Sequence, residues 1–295
     1  MNLPKRDDRF DGGRAMADLI RLCALGPRPS GSAANQRQRE LVAEHFRRCG
    51  GTVRIQEFSG DHPLTGEPVP MANVVASWRP GEADRILIGA HGDTRPRADL
   101  ERDPVRRLGP FVGANDGASG VAALMELARL LPDVGIGLGV DLAMFDAEEL
   151  VFDEEGAYCL GSLEFARRAR EDEEAGGPRY GAALVLDMIA GREMVLRREG
   201  FGLDYAWWLT EEVWDIARGL GASRFSEAIG RYVEDDHLPL LAAGIPAIAL
   251  VDIEFPQWHT LGDVPEACSA GSIAEVGRVV LAWIERWADS SQQTT

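Results

Sequence analysis

The sequence predicts an α/β fold, a three-layer αβα sandwich on a mixed, mostly parallel central sheet. Two patterns carry that reading. Short apolar runs at 86–90, 140–145, 183–186 and 247–251 alternate with segments of helical apolar spacing, as expected for helices covering both faces of a sheet. Polar residues able to bind a metal stand just beyond these runs, namely His91, Glu149, Asp187 and His259, and open α/β sheets collect their ligands at the carboxyl ends of strands.

The elements follow in chain order. Residues 12–25 and 35–48 have apolar positions spaced for helices, and Gly50-Gly51 stops the second. Thr52 to Phe58 and Asn73 to Trp78 alternate like strands, with the Pro- and Gly-containing stretch 59–70 as a long hairpin connection. Further helices are expected at 117–131, 161–170, 204–219, 236–243 and 272–288. The connections 92–115 and 150–160 are long and both follow candidate site residues, which marks them as functional loops. Residues 171–179 read as a solvated loop, and the tail from Asp289 as disordered. A chain of 295 residues without a composition break suggests a single catalytic domain over 1–289, with 290–295 as its tail.

A formal charge of −17 disfavours nucleic acid and anionic membranes as partners, because phosphate binding relies on Lys and Arg. A polar amino terminus and the lack of any long apolar run lead to an expectation of a soluble, cytoplasmic protein. Cys23, Cys49, Cys159 and Cys268 form no CxxC pair and read as buried free thiols. His45 and His62 read as surface residues, and Trp283 and Trp287, at helical spacing, as packing.

His91-Gly92-Asp93 offers a strand-end imidazole with an acid two residues on that could orient it from behind. Asp116, in the small-residue loop Gly113 to Gly120, is either a helix N-cap or a metal ligand. Glu148 and Glu149 follow directly from an apolar strand, where adjacent side chains diverge, so one could bind metal while the other acts as general base. Asp187 ends an apolar strand, where a carboxylate is costly without a cation or partner. Glu234-Asp235-Asp236-His237 opens a helix with more acid than capping needs. Trp258 beside His259 is either core or pocket wall. Mixed imidazole and carboxylate ligands suit zinc. Gly135, Gly137 and Gly139 precede their strand, so they are no dinucleotide fingerprint.

Taken in order, His91-Gly92-Asp93, Asn115-Asp116-Gly117, Glu148-Glu149, Asp187 and His259 resemble the zinc aminopeptidase superfamily. Within it, the chain is most similar to the animal-type glutaminyl-peptide cyclotransferases. The features that point there are Phe111 to Ala114, Asp235 to Pro239, Phe255 to Thr260, and the insertion between Glu149 and Gly161-Ser162. The cyclase resemblance implies a zinc-exopeptidase-like fold and one zinc held by Asp116, Glu149 and His259. Glu148 would then be proton shuttle, and Asp187 and Asp235 would share a proton and steady the substrate amide. Phe255, Trp258 and Glu234 would be at the substrate, the N-terminus of a peptide or protein. Where the cyclases place a second pocket tryptophan, this chain has Leu150, Val151 and Phe152. The aminopeptidase alternative implies two zincs bridged by Asp116, one held also by His91 and Asp187. A catalytically silent binding protein on the same fold is a third reading, but such relatives lose the ligands or base that are present here.

Overall fold

The computed structural model of the protein describes residues 9–135, 137–152 and 155–291. The chain opens with α1 (Gly12–Cys23), α2 (Ala33–Arg48) and the hairpin β1 (Thr52–Asp61) and β2 (Pro68–Trp78). It continues through β3 (Asp84–His91), α3 (Ala118–Leu130), β4 (Gly139–Phe145), α4 (Leu160–Glu174) and β5 (Arg179–Asp187). The last part comprises β6 (Leu196–Arg198), α5 (Gly200–Leu220), β7 (Phe225–Ile229), α6 (His237–Ala242), β8 (Ala247–Val251) and α7 (Ala270–Ser291).

Six strands form one sheet in the order β1-β2-β4-β3-β5-β8. The hairpin joins antiparallel through β2 and β4, while β4, β3, β5 and β8 are parallel. This is the mixed, mostly parallel sheet expected. Alternate residues of the strands enter two separate cores, which is the period-two signature of a sheet buried on both faces. Ile86, Ile88, Val140, Leu142, Leu184 and Leu250 pack against α1, α2, α3, α5 and α7. Leu87, Ala143, Phe145, Ala183, Val185 and Ala247 pack against α4 and α6. The connections leaving β3 and β4 therefore run to opposite faces, and a crevice opens at the carboxyl ends of these strands.

Several boundaries differ from the sequence reading for identifiable reasons. The hairpin connection shrinks to 62–67, because Pro68 and Pro70 belong to β2. That part of β2 lies beyond its pairing with β4, so the missing proline N–H groups cost no ladder bonds there. Helix α4 runs on through Glu174, where Arg167 and Arg170 pair with acids one turn away. Helix α5 starts at Gly200, since the Glu199 side chain caps it by accepting from Phe201 N and Gly202 N. The short parallel pair β6 and β7 was not anticipated, its strands being brief and rich in arginine or exposed. Helix α7 continues through Ser291, past the expected tail start at Asp289, while residues 292–295, Lys5 to Asp8, Asp153 and Glu154 lie outside the described residues.

His45 is buried, contrary to expectation, and its Nε2 lies 2.8 Å from the Met125 carbonyl. His62 is half-buried with its ring 4.8 Å from that of Phe152. Trp283 and Trp287 pack as expected, both donating to Glu212 Oε2. Cys23, Cys159 and Cys268 are buried, Cys49 is half-buried, and all are free. No helix among the described residues is long and apolar enough to cross a membrane.

Helix α3 lies so close to the sheet that a Cβ on Gly120 would come within 2.2 Å of the Leu186 carbonyl oxygen and 2.7 Å of Ala90 Cβ. Gly120→Val should therefore lower the unfolding free energy by about 1–3 kcal/mol or more. Gly219, on the open face of α5, meets nothing within 4 Å, and Gly219→Ala should raise stability by roughly 0.4–1 kcal/mol. Urea denaturation of both variants checks the pair.

Candidate metal centre and substrate cleft

His91 and Asp187 are the last residues of β3 and β5, Glu148 and Glu149 stand just past β4, and His259 lies in the loop after β8. Sharp backbone turns bring them together. Among the described residues, only five other than glycine have left-handed backbone, and three of these are Ala147 (φ 58°), Met188 (φ 48°) and His259 (φ 54°). Such conformations cost energy and persist only where the surroundings hold them. At Ala147 the holding group is Asp146, buried and accepting from Ser30 Oγ (2.8 Å), Asn35 Nδ2 (3.0 Å), Ala72 N (2.9 Å) and Ala147 N (3.0 Å). Glu148 and Glu149 thus follow a turn beyond the strand, and instead of diverging by strand alternation as the sequence suggested they bring ligand atoms within 4.8 Å of each other and of His91.

Two sets of donors converge around Asp116. His91 Nε2 lies 3.3 Å from Asp116 Oδ1 and 3.1 Å from Asp187 Oδ1. His259 Nε2 lies 2.8 Å from Glu149 Oε1 and 3.5 Å from Asp116 Oδ2. Asp116 caps nothing, because α3 has Gly117 at its N-cap and no side-chain capping bond. A Cβ on Gly117 would come within 2.4 Å of the Asp93 carbonyl oxygen, so the loop needs glycine there, also for its φ of 93°.

Asp93 stands behind His91 and has a second set of partners that the sequence did not show. Its carboxylate accepts from Glu148 N (3.1 Å) and Glu149 N (3.0 Å). It lies 3.7 Å from His91 Nδ1, which has no hydrogen-bond partner. Residues not singled out in the sequence also build the site. Asp263 accepts from Asn115 N (2.7 Å) and Asp116 N (3.0 Å), fixing the turn that presents Asp116. Burial, reinforced by the charge of Asp116, pushes Asp263 up to about 8. Asp99 and Arg95 approach His259 and Glu149 from behind. The length of the loop that carries them was the only sequence signal for either.

A cleft of about 440 Å³ opens over these groups, with Glu148, Asp187, Glu234, Asp235, Trp258 and Tyr158 in its wall. Trp258 stacks on His259 with ring centroids 4.4 Å apart. Leu150 and Val151 are buried and Phe152 turns to His62 and Arg97, so from the described part of that insertion Tyr158 faces the cleft. Phe255, expected at the substrate, is instead buried with Met188, Val251 and Trp258 behind the wall. Asp236 makes no capping bond to α6 and accepts from Ser162 Oγ at 2.6 Å.

The electrostatics are those of crowded, buried carboxylates. Burial, then Glu149, Asp236 and Asp235, hold Glu148 well above the usual carboxylate range. Burial and the neighbouring Asp187 raise Asp235 to about 6. Burial alone would raise Glu149, but His259, His91 and Arg95 outweigh it and keep Glu149 ionised. Burial works against protonated imidazole at His259, yet Glu149, Asp99 and Asp116 lift it to about 10. A cluster that protonates its own histidines is short of positive charge.

The residues fit a divalent cation. Ligand atoms of Asp116, Glu149 and His259 lie within 4.8 Å of one another, as do those of His91, Asp116 and Asp187. Asp116 Oδ2 is buried without a hydrogen-bond partner. Nitrogen and carboxylate oxygen together are a zinc donor set.

Known proteins share this architecture. A glutaminyl cyclase from Fimbriiglobus ruber superposes with a TM-score of 0.91 at 35% identity, over 97% of this chain and 96% of its own. A leucine aminopeptidase precursor from Bacteroides thetaiotaomicron superposes with a TM-score of 0.87 at 30% identity, over 94% and 97%. In sequence, the glutaminyl-peptide cyclotransferase-like protein of Mus musculus is 24% identical over 289 residues, 88% of this chain and 72% of that protein. The model of peptidase family M28 matches residues 73–284, a span that runs from β2 into α7 and contains every candidate ligand; the chain belongs to peptidase family M28.

Proposed function

We propose that this chain is a zinc-dependent glutaminyl-peptide cyclotransferase, which converts the N-terminal glutamine of peptides to pyroglutamate and releases ammonia. One observation carries the choice. Asp235 is 3% exposed, stands in the cleft wall with Asp187, and its Oδ2 has no hydrogen-bond partner. A buried carboxyl so placed, with its pKa raised to about 6 by burial and by Asp187, suits an amide of the substrate as its missing partner.

In this reading Asp116, Glu149 and His259 hold the zinc. When bound, the ion supplies Lewis acidity to the substrate's γ-carboxamide carbonyl. Glu148 accepts a proton from the α-amine as that nitrogen attacks the carboxamide carbonyl carbon, Cδ. It returns the proton to the amide nitrogen as the C–N bond breaks, so a lactam and ammonia result with no net proton change. Asp235 and Asp187 hydrogen-bond the carboxamide nitrogen and orient it as leaving group. Trp258 packs along the glutamine methylenes and excludes water, which would otherwise compete with the amine.

A di-zinc aminopeptidase is the second reading, favoured by the convergence of His91, Asp116 and Asp187 as another ligand set. Glu148 would then activate water for attack on the first peptide bond.

Incubating the zinc-loaded protein with a Gln-initiated and a Leu-initiated peptide separates the two by mass spectrometry. Loss of one ammonia from the Gln peptide alone is expected; stepwise removal of first residues would establish the peptidase. Glu148→Gln should lower kcat about 10²- to 10⁴-fold with zinc retained, whereas Glu149→Ala and His259→Ala should lose zinc, as read by metal analysis after dialysis. Asp235→Ala should slow cyclisation about 10- to 100-fold, the equivalent of one charged hydrogen bond of roughly 1.5–3 kcal/mol. Unchanged cyclisation in that variant would remove Asp235 from the mechanism.

A further inference from the structure

We propose that Asp99, buttressed by Arg95, is a positioning residue that locks His259 and Glu149 in metal-binding geometry. The inference rests on the ligand assignment proposed above.

Both residues lie in the long connection after β3. Asp99 Oδ1 stands behind the imidazole as an ion-pair contact, 3.0 Å from His259 Nδ1, while Nε2 on the other side of the ring lies toward Asp116 and Glu149. The other oxygen of Asp99 accepts from Arg95 Nε at 2.7 Å. Arg95 is itself buried, and its backbone N–H donates to Glu149 Oε2 at 3.1 Å while Nη1 stands 3.5 Å from Glu149 Oε1. Nη2 donates to the Tyr158 hydroxyl at 3.2 Å, which ties the clamp to the cleft wall. The same loop grips the strained backbone at His259: Leu100 N donates to the His259 carbonyl at 3.2 Å, and Glu101 Oε1 accepts from Leu261 N at 3.0 Å.

On the His91 side the corresponding carboxylate is Asp93, more distant at 3.7 Å from His91 Nδ1, and it also accepts from the Glu148 and Glu149 N–H groups. A carboxylate behind a ligand imidazole fixes its tautomer and ring orientation and raises its basicity, and losing such a partner costs about 10- to 100-fold in metal affinity. The connection 92–115 thus links the end of β3 to the His259 loop.

The test is zinc affinity of the full chain by chelator competition, with the Tm of the metal-free protein and the visible spectrum of the cobalt-substituted protein as independent readouts. Asp99→Ala should weaken zinc binding at Asp116, Glu149 and His259 about 10- to 100-fold and alter the cobalt spectrum, with little change in the metal-free Tm. Asp99→Asn keeps an acceptor for Nδ1 and should recover most of the affinity and the spectrum. Arg95→Met should move affinity in the same direction as Asp99→Ala. Wild-type affinity in Asp99→Ala overturns the proposal, as does an equal loss in Asp99→Asn that tracks a lowered Tm, which would mark a merely structural role. Zinc binding by the wild type that His259→Ala abolishes upholds the ligand assignment whatever Asp99 does. A wild type that binds no zinc overturns that assignment and the clamp together.

Discussion

Carboxylates concentrated at the carboxyl ends of four parallel strands, and largely shut off from water, are the constraint on which the rest of the molecule depends. Asp116, Glu148, Glu149 and Asp235 are all buried, with Asp187 beside them. Buried anions are tolerated only with a proton, a hydrogen-bond donor or a cation nearby. The protein uses all three. Glu148 and Asp235 are pushed toward the protonated form, Asp93 and Asp263 find backbone N–H donors, and His91 and His259 stand where positive charge is wanted. What remains is an acidic concavity whose demand for a cation follows from its own composition.

That demand also explains the strained turns. A regular strand points successive side chains to opposite faces, so strand ends alone cannot aim five ligand candidates at one volume. Left-handed residues at Ala147, Met188 and His259 redirect the chain at three of the four strand ends. Each is held by ordinary interactions a short distance away: Asp146 with its donors, the packing of Met188 against Phe255 and Val251, and the grip of residues 99–101 on the His259 loop. Positional accuracy at the site is thus maintained by residues outside the candidate ligand set.

The sequence showed the sheet strands and the ligand candidates because both leave local signals. Ile86 to His91 reads as a buried strand with a candidate ligand at its end, and the strand is there, buried, with His91 as its last residue. Groups whose partners are remote in sequence left no such signal. Asp263 serves Asn115 and Asp116 from 148 and 147 residues away, and Asp99 serves His259 across most of the chain. Asp93 shows half of this, since proximity in sequence pointed to His91, which it neighbours at 3.7 Å, but not to the remote Glu148 and Glu149 amides that it also accepts from. Phe255 was assigned to the substrate from its neighbours Trp258 and His259, yet a tight turn separates wall from support over three residues.

Fold and ligand set leave the reaction open, because proteins described as a glutaminyl cyclase and as an aminopeptidase precursor superpose on this chain almost equally well. Function lies in what surrounds a shared centre. A hydrolase needs water admitted and activated beside the metal, whereas a cyclase needs water excluded and the substrate's own amine held against its side chain. Two features of the cleft bear on the proposed cyclase reading. Asp93 lies 3.7 Å from His91 Nδ1 whereas Asp99 lies 3.0 Å from His259 Nδ1, and Asp235 is held in the cleft wall with an unpaired oxygen that suits a carboxamide. In that reading the surroundings of the centre, and not the ligand list, set cyclisation against hydrolysis.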